Sequence, residues 1–381
     1  MIIDIILGPY CSAHRPIDFA AGIYTNDRGL TGSDLIFVEF GKAFKKLGYE
    51  VNLFTSLLPN QPKEWEGCNL YDYSEILKKI TKDHFAAISI SEPEVLRGIP
   101  DEVIKIHSHQ LNGFDYCQKD WESLSHLKFS PSLKHLEYHK QWISPEHLED
   151  WHVVPDGCDP ENFTVGKKIP GKMVSISSVD RGLHWLLSMY PEIKKQVPEL
   201  NLTIFYHFNP SKVEDIEFNS TEHHCNIIEL GSRYRYLLEA IKKLEPLGVK
   251  LVGSANRKRI AKELNETMVG AFSCDTIRWS EGFSISCLEF CLHQCAPVIS
   301  DCDALGEIYQ HAATVVPCNF SQKENQKIFI EAVVRSFKDE EYRNEINAKS
   351  HAFAVKNSWD NIAKQIENIV QEYKLNKEKD S

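Results

Sequence analysis

The chain has 381 residues, 42% of them hydrophobic and 25% charged, which is ordinary for a globular protein and excludes large-scale disorder and collagen-like repeats. With 43 basic against 54 acidic residues the net charge is -11, so bulk binding of nucleic acid is not expected. A local basic cleft for a small phosphate ligand is compatible with this charge. At roughly 100–200 residues per domain, the length predicts two domains or three.

The cysteines and the start of the chain indicate a compartment and a class of protein. The 11 cysteines are an odd number, and several lie in apolar runs, which is typical of reduced, buried thiols. The apolar start lacks a basic region and is interrupted by Asp4, so it is not predicted to be a signal peptide. No run approaches the ~18 apolar residues of a membrane span. We therefore expect a cytoplasmic protein without a transmembrane segment.

Strand and helix patterns alternate along the first half of the chain. The apolar run 2–7 predicts a buried first strand. A helix should follow, capped by Ser33 or Asp34 and ended by Gly48, because its apolar residues recur at spacings of three and four. Further strands are predicted at residues 51–54, 86–90, 103–107 and 151–154.

The apolar pattern lapses between residues 155 and 172, where prolines and glycines accumulate and predict a linker. It restarts with strands predicted at 173–176, 202–206, 249–252, 269–274, 297–300 and 314–316, and a last helix at 359–373 is followed by a tail that should be frayed. Strands that alternate with helices predict two doubly wound α/β domains with parallel sheets. Ligands of such sheets bind outside the carboxyl ends of the strands, so we expect a site between the domains.

The most informative stretch runs from Glu281 to Glu289, after a predicted strand and into a predicted helix. A helix start offers unpaired amides and a positive dipole end, which suits a phosphate group, and Gly282 would let the backbone approach it. The two carboxylates, up to ~12 Å apart if the stretch were helical, fit an extended ligand with hydroxyls at both ends. A nucleotide-sugar is such a ligand. The alternative is two solvent-facing glutamates around a helix cap.

This stretch resembles the E-x(7)-E motif of retaining glycosyltransferases with the GT-B fold, in particular glycosyltransferase family 4. Segments similar to that family's glycine loop, interdomain stretch, phosphate-binding loop and acidic loop follow the family's order, at residues 31–34, 153–163, 177–183 and 301–307. The resemblance implies two Rossmann-like domains facing across a cleft. An acceptor-binding domain is expected at 1–160, a nucleotide-sugar-binding domain at 161–355, and a C-terminal helix crossing back to the first domain at 356–381.

The resemblance also implies a reaction. A sugar would move from a nucleoside-diphosphate sugar, such as a UDP- or GDP-sugar, to an acceptor hydroxyl of a glycan or other molecule, with retention of configuration and without a metal or other cofactor. Arg181 follows a strand end, where a guanidinium can bind a diphosphate. Glu281 would orient the sugar, Glu289 would anchor the ribose, and His109 would lie near the reacting centre. Donor contacts are also expected from Ser178, Gly253, Arg257, Gly282, Phe283, Ser284 and Ile285, and acceptor contacts from the loop with Gly32 and Ser33.

Several alternatives stay open. Arg181 could form only a surface ion pair with Asp180. The family's phosphate loop usually carries an arginine and a lysine, whereas one clear cation is present here, and Arg257 or Arg278 could supply the second. That gap favours a degenerate nucleotide-sugar-binding protein as an alternative, and an epimerase or phosphorylase of the same fold is another. The base, the sugar, the acceptor and the oligomeric state are not predicted.

Histidines and cysteines at regular spacing are candidate metal ligands. His135 and His139 have the spacing of two ligands on one helix face, but no third ligand is evident in the sequence, so a solvated helix face is the preferred interpretation. Cys287, Cys291 and Cys295 recur every four residues and match no zinc or iron–sulfur spacing, so close packing of a helix explains them.

Two further patterns are not expected to form a metal site. Asp301 and Asp303 resemble the D-x-D of metal-dependent transferases, which binds Mn²⁺ against a diphosphate, but they lie late in the chain and also resemble the acidic loop of the metal-free family. The run His223-His224-Cys225 lies in a polar segment and is expected to carry no function.

Overall fold

The computed structural model describes residues 1–12, 16–25, 29–114, 117–164, 166–206, 227–275 and 279–379, with the backbone alone at 162 and 227–235. The chain divides into two compact units. The first comprises Met1–Asp159 with Lys356–Ser381, and the second comprises Pro160–Val355. None of the described helices combines the length and the apolar character that a membrane span requires.

The described part of the first unit contains one sheet. Its strands are β1 (Ile2–Leu7), β2 (Glu50–Thr55), β3 (Glu64–Trp65), β4 (Cys68–Asp72), β5 (Ala86–Ile90), β6 (Ile104–Ser108), β7 (Leu127–Ser130) and β8 (Trp151–Val153). They lie in the order β3-β4-β2-β1-β5-β6-β7-β8, and every pair is parallel except β3 with β4. The central strands are buried along almost their whole length, as expected of parallel strands covered on both faces.

The described part of the second unit contains a smaller sheet, in which all pairs are parallel. Its strands are β9 (Lys172–Ser175), β10 (Asn201–Ile204), β11 (Val249–Leu251), β12 (Val269–Phe272), β13 (Val298–Ser300) and β14 (Thr314–Val316). The order β11-β10-β9-β12-β13-β14 is the Rossmann order, because the chain adds strands to one side of β9 and then returns to add β12 on the other. The carboxyl ends of β9 and β12 are therefore neighbours at the point where the order reverses.

Helices connect these strands. The described helices are α1 (Pro9–Ser12), α2 (Gly32–Lys46), α3 (Ile76–Lys79), α4 (Leu133–His139), α5 (Leu183–Gln196), α6 (Ile227–Leu244), α7 (Arg257–Glu266), α8 (Ile285–Leu292), α9 (Leu305–Tyr309), α10 (Lys323–Lys338), α11 (Glu340–Lys356) and α12 (Trp359–Lys379). Short 3₁₀ turns lie at Tyr73–Glu75, Pro93–Leu96, Trp121–Leu124, Lys140–Trp142, Pro145–Asp150, Pro160–Asn162 and Glu245–Leu247.

Two helix ends differ from the sequence-based expectation. The N-cap of α2 is Thr31, neither Ser33 nor Asp34, because the Thr31 hydroxyl accepts from the Asp34 amide while the Asp34 carboxylate accepts from the Thr31 amide. The last helix continues to Lys379, so the predicted fraying after residue 373 is wrong. Its Lys- and Glu-rich end consists of good helix formers, and this propensity suffices without an apolar stripe.

Candidate functional site

The loops that follow β9 and β12 are held together by Gly182. This residue precedes α5 with φ 82°, and a Cβ there would lie 1.8 Å from the carbonyl oxygen of Ser273, so only glycine fits. The Ser273 hydroxyl donates to the Gly182 carbonyl at 2.9 Å. The start of α5 is thereby fixed against the carboxyl end of β12, at the position where doubly wound sheets bind their ligands.

A second helix begins at the same edge of the sheet. Ser284 precedes α8 in a left-handed conformation, with φ 74°, and its carbonyl accepts from the Tyr309 hydroxyl at 2.8 Å. The left-handed residue of this turn is thus Ser284 rather than Gly282. Within the described residues no side chain caps the start of α5 or of α8. Two helix N-termini with their positive dipole ends lie at the carboxyl ends of β9 and β12, which suits an anionic group.

Arg181 and Glu281 form an ion pair at this edge. The Arg181 Nε donates to Glu281 Oε1 at 2.5 Å, and Nη1 donates to the Asp180 carboxylate. The pair with Asp180 that was considered as an alternative is therefore present, but it is part of a larger, partly buried group. Burial raises the pKa of Glu281, and the Arg181 charge opposes this. Burial also acts to lower the pKa of Arg181, but the charges of Glu281 and Asp180 outweigh it and raise that pKa.

The backbone around Glu281 is fixed by Asp303. The Asp303 carboxylate accepts from the amides of Ser280 at 2.8 Å and Glu281 at 3.0 Å, and the Glu281 carbonyl accepts from the Ala304 amide at 3.3 Å. Burial raises the pKa of Asp303, and these amide hydrogen bonds oppose the shift. Sequence reasoning assigned Asp303 to an acidic loop but missed its contact with Glu281, because nothing in the spacing of 22 residues indicates it.

Glu289 is paired with Arg257. Glu289 lies on α8 with 4% of its surface exposed, Glu281 is 8% exposed, and so the alternative of two solvent-facing glutamates is wrong. Burial follows from the position of α8, which packs against the sheet through a largely apolar face. The Arg257 guanidinium donates to Glu289 Oε1. Arg257 is thus placed beside Glu289, and the other candidate for a second cation, Arg278, lies outside the described residues.

The remaining predicted donor residues have local roles. The Ser178 hydroxyl donates to Asp180 Oδ1 and contacts the Tyr206 hydroxyl at 3.2 Å. Gly253 has φ 92° and begins the turn that leads to the Asn256 cap of α7. Phe283 is buried and its ring centroid lies 6.1 Å from that of Tyr309, while Ile285 is the first residue of α8.

In the first unit, the corresponding point of strand reversal lies between β1 and β5 and is occupied by Glu92. Its carboxylate accepts from the amides of Tyr10 at 3.0 Å and Cys11 at 2.9 Å, and a Cβ at Gly8 would lie 2.5 Å from it. Burial raises the pKa of Glu92, against the effect of these amides. Sequence reasoning missed Glu92. Of the predicted acceptor-loop residues, Gly32 begins α2 and is exposed, and Ser33 follows it.

His109 lies just after β6 in an aromatic cluster. Its ring is fully buried and stacks on Phe114, with centroids 4.2 Å apart. Burial, together with the neighbouring histidines, lowers its pKa well below 6.5, and Phe114 covers one face of the ring. The expectation of a solvated face for His135 and His139 is wrong, because both side chains are buried. Together with His109 they form a group of three histidines, so the third candidate ligand that the sequence did not reveal is His109. The buried residues of α4 are His135, Leu136 and His139, which share one face of the helix, so the two histidines lie on its buried side.

Comparison with solved structures defines the class of fold. A sucrose-phosphate synthase from Thermosynechococcus elongatus matches with a TM-score of 0.67 and 13% identity, covering 98% of each chain. The Anabaena protein HepE, in complex with UDP and glucose, matches with a TM-score of 0.65 and 12% identity over 97% of this chain and 99% of that one. The trehalose-6-phosphate synthase OtsA matches with a TM-score of 0.68 and 10% identity over the same shares.

At these identities the likeness shows the fold. No known family and no curated protein matches the sequence. The chain has the GT-B fold found in these glycosyltransferases, and the fold predicted from the sequence is confirmed.

Proposed function

We propose that the protein is a retaining glycosyltransferase that moves a sugar from a nucleoside-diphosphate sugar to an acceptor hydroxyl without a metal ion. The observation that carries this proposal is the convergence of two uncapped helix starts and the Arg181–Glu281 pair where the strand order reverses. Amide dipoles and a guanidinium together suit a pyrophosphate, and a carboxylate beside them suits sugar hydroxyls. The described part of Pro160–Val355 would then bind the donor.

In the proposed reaction, the bond between the anomeric carbon and the diphosphate oxygen breaks and a bond from that carbon to the acceptor oxygen forms on the same face. The acceptor proton passes to the departing phosphate oxygen. The leaving diphosphate gains negative charge, which Arg181 and the amides that open α8 would stabilise. Preorganised donors of this kind are each worth roughly 3–4 kcal/mol when removed. Glu281 would accept from the sugar hydroxyls, and this contact would release the guanidinium toward the phosphates.

Glu289 would accept from the ribose hydroxyls. The guanidinium of its partner Arg257 holds this carboxylate in place, and a carboxylate offers two oxygens that accept hydrogen bonds. HepE is described in complexes with UDP and glucose and with UDP-glucose, so UDP-sugars are the first donors to test, followed by GDP-sugars.

Asp301 and Asp303 support the proposal that the reaction needs no metal ion. Asp301 Oδ1 accepts from the Cys318 amide at 2.6 Å, and Asp303 holds the loop before Glu281. Both carboxylates therefore already accept hydrogen bonds from backbone amides, which favours a role in positioning the loops over the binding of Mn²⁺. Full turnover after removal of free divalent ions by a chelator is expected. Turnover that requires added Mn²⁺ and disappears in Asp301→Asn would instead support the metal-dependent alternative.

A second candidate function is binding of a nucleotide-sugar without turnover. The observation that favours it is that Arg181 and Arg257 are both engaged by carboxylates, which reduces the positive charge available to a diphosphate. Product analysis separates the candidates. Hydrolysis or transfer of the sugar with retained configuration supports the transferase, an altered sugar without an acceptor supports an epimerase, and binding alone supports the degenerate protein.

The test of the proposal is a thermal-shift panel of UDP-, GDP-, ADP-, dTDP- and CMP-sugars. A donor at about a hundred times its dissociation constant should stabilise the protein by about 2.7 kcal/mol. The test variant is Glu289→Gln, which keeps the shape of the side chain but should reduce the rise in melting temperature that the same donor causes. If no donor shifts the melting temperature, or if the variant responds like the parent protein, the assigned site is wrong.

A further inference from the structure

Three histidines come together in the first unit, outside the residues proposed to bind the donor. His109 follows β6, whereas His135 and His139 lie one turn apart on α4. One ring nitrogen from each lies within 4.8 Å of the other two. All three rings are buried, with exposures of 0%, 1% and 0%.

The hydrogen bonds of His139 determine which of its nitrogens carries a lone pair. Its Nδ1 lies 2.7 Å from the His135 carbonyl, and because a carbonyl can only accept, Nδ1 carries the proton. Nε2 of the neutral ring is then an acceptor. Among the described residues this buried atom has no hydrogen-bond partner. A backbone carbonyl that holds the far N–H is the arrangement that orients histidines on metal ions.

His135 shows the same pattern. Its Nε2 lies 3.1 Å from the Leu111 carbonyl and so carries the proton, which leaves a lone pair on Nδ1. Nδ1 lies 2.8 Å from the Ser130 hydroxyl, whose single proton is also directed at the Ser132 carbonyl at 3.2 Å. The Ser130 proton can satisfy only one of these acceptors. A cation near Nδ1 would resolve the competition.

We propose that His109, His135 and His139 bind a divalent transition-metal ion, with zinc as the expected occupant. Zinc sites commonly use imidazole nitrogens at about 2.0–2.1 Å in tetrahedral geometry, which places the nitrogens roughly 3.4 Å apart. The three nitrogens lie within 4.8 Å of one another, so binding would draw them together by at most about 1.4 Å. Three neutral nitrogen ligands without a carboxylate favour zinc over magnesium or calcium, which prefer oxygen.

The surroundings agree with this ligand set. Phe114 and Trp151 contact the His109 ring, with centroid distances of 4.2 Å and 6.2 Å, and limit access of water. Histidine binds a metal through the lone pair of a neutral ring. An ion here would tie α4 to the end of β6.

The test uses the full chain after removal of metal by a chelator and subsequent removal of the chelator. Zinc is titrated in competition with a chromogenic chelator, and cobalt is then substituted for its spectrum. We expect one zinc per chain, a rise in melting temperature on zinc addition, and a cobalt spectrum of nitrogen ligands without thiolate charge transfer. His139→Gln, which keeps a donor for the His135 carbonyl, removes a ligand and should weaken zinc binding by more than about 100-fold, the upper end of the effect of losing an outer-shell partner.

Two controls separate this site from other histidines and cysteines. His152→Gln removes a histidine of the same unit that is not part of the group, and a variant with His223, His224 and Cys225 changed to Ala removes the run outside the described residues. Both should bind zinc like the parent protein. The proposal is overturned if His139→Gln also binds like the parent, if the triple variant loses binding, or if cobalt in the parent shows thiolate ligands. The cobalt spectrum of the parent protein needs no variant, so it tests the proposal even if His139→Gln does not fold.

Discussion

Arg181 is a single guanidinium between two carboxylates in a partly buried position. Removing one member of such a group leaves an uncompensated charge, which is itself destabilising. Variants that remove the charge but keep a polar side chain are therefore the appropriate probes, and activity has to be compared with stability in each of them.

We expect Arg181→Gln and Glu281→Gln to lower turnover about 10²–10³-fold, because each removes a contact that strengthens as the diphosphate departs. Cys291→Ala provides the comparison. Cys291 is fully buried on α8, so the substitution should cost about 1 kcal/mol of stability while turnover per folded molecule is unchanged. The measurements are kcat and the urea midpoint of all three variants. If all three variants lose activity equally, and in proportion to their loss of stability, the residues have a structural role and no direct role in the reaction.

The sequence contained the residue types of this site but only part of its geometry. Glu281 and Arg181 could be singled out because each follows a predicted strand, and Glu289 because it lies eight residues after Glu281. The contact between Arg181 and Glu281 could not, because the partners are 100 residues apart and meet only through the strand order. The burial of His135 and His139 was likewise out of reach, since a spacing of four describes a buried face as well as a solvated one.

At the scale of elements, the alternation of strands and helices was predictable because apolar runs and glycine turns are local signals. For the strands that were predicted, the predicted and observed ends differ by no more than two residues. Three strands were missed, β3, β4 and β7. The first two are short or polar, and β7 carries Lys128, whose ammonium is buried but pairs with Asp150 at 3.1 Å. A lysine in a sequence indicates an exposed position, and the sequence does not show that this lysine has an acidic partner, so the strand could not be recognised.

The loop before α8 permits a prediction on Asp303. Asp303→Ala leaves the amides of Ser280 and Glu281 without their acceptor, so Glu281 should shift and turnover should fall about 10²-fold, since small displacements of positioned groups have effects of this size. Asp303→Asn keeps a carbonyl oxygen and should recover most of the activity. Turnover and the KM for the donor are measured for both variants. Full activity in Asp303→Ala would contradict the positioning role.

The two compact units have separate cores, and so they need not unfold in one transition. Each should also have its own dependence on pH. In the second unit, His293 is buried and its Nδ1 donates to Asn265 Oδ1 at 2.8 Å. Burial lowers its pKa to about 3, with contributions from Lys168, Arg257 and His351. In the first unit, the hydrogen bond to Asp4 raises the pKa of His84 against the effect of burial.

These shifts have opposite signs. The unfolded chain binds a proton at His293 below pH 6.5 that the folded unit does not, so the second unit should lose stability as the pH falls from 6.5 toward 3. The loss amounts to about 2 kcal/mol by about pH 5. The stability that His84 adds to the first unit is complete below pH 6.5 and is lost as the pH rises through its raised value.

Hydrogen exchange, followed in peptides from each unit, measures the two stabilities separately. The protein is first freed of metal with a chelator and is then measured between about pH 5 and about pH 8. His293→Gln keeps a donor to Asn265 and should flatten the acid dependence of the second unit alone, whereas His84→Gln should flatten the alkaline dependence of the first. His311→Gln, at an exposed position of the second unit, is the matched control and should change neither. If His293→Gln leaves the slope below pH 6.5 as it is in the parent protein, the acid sensitivity of that unit arises from other groups, and the two units are not distinguished by these histidines.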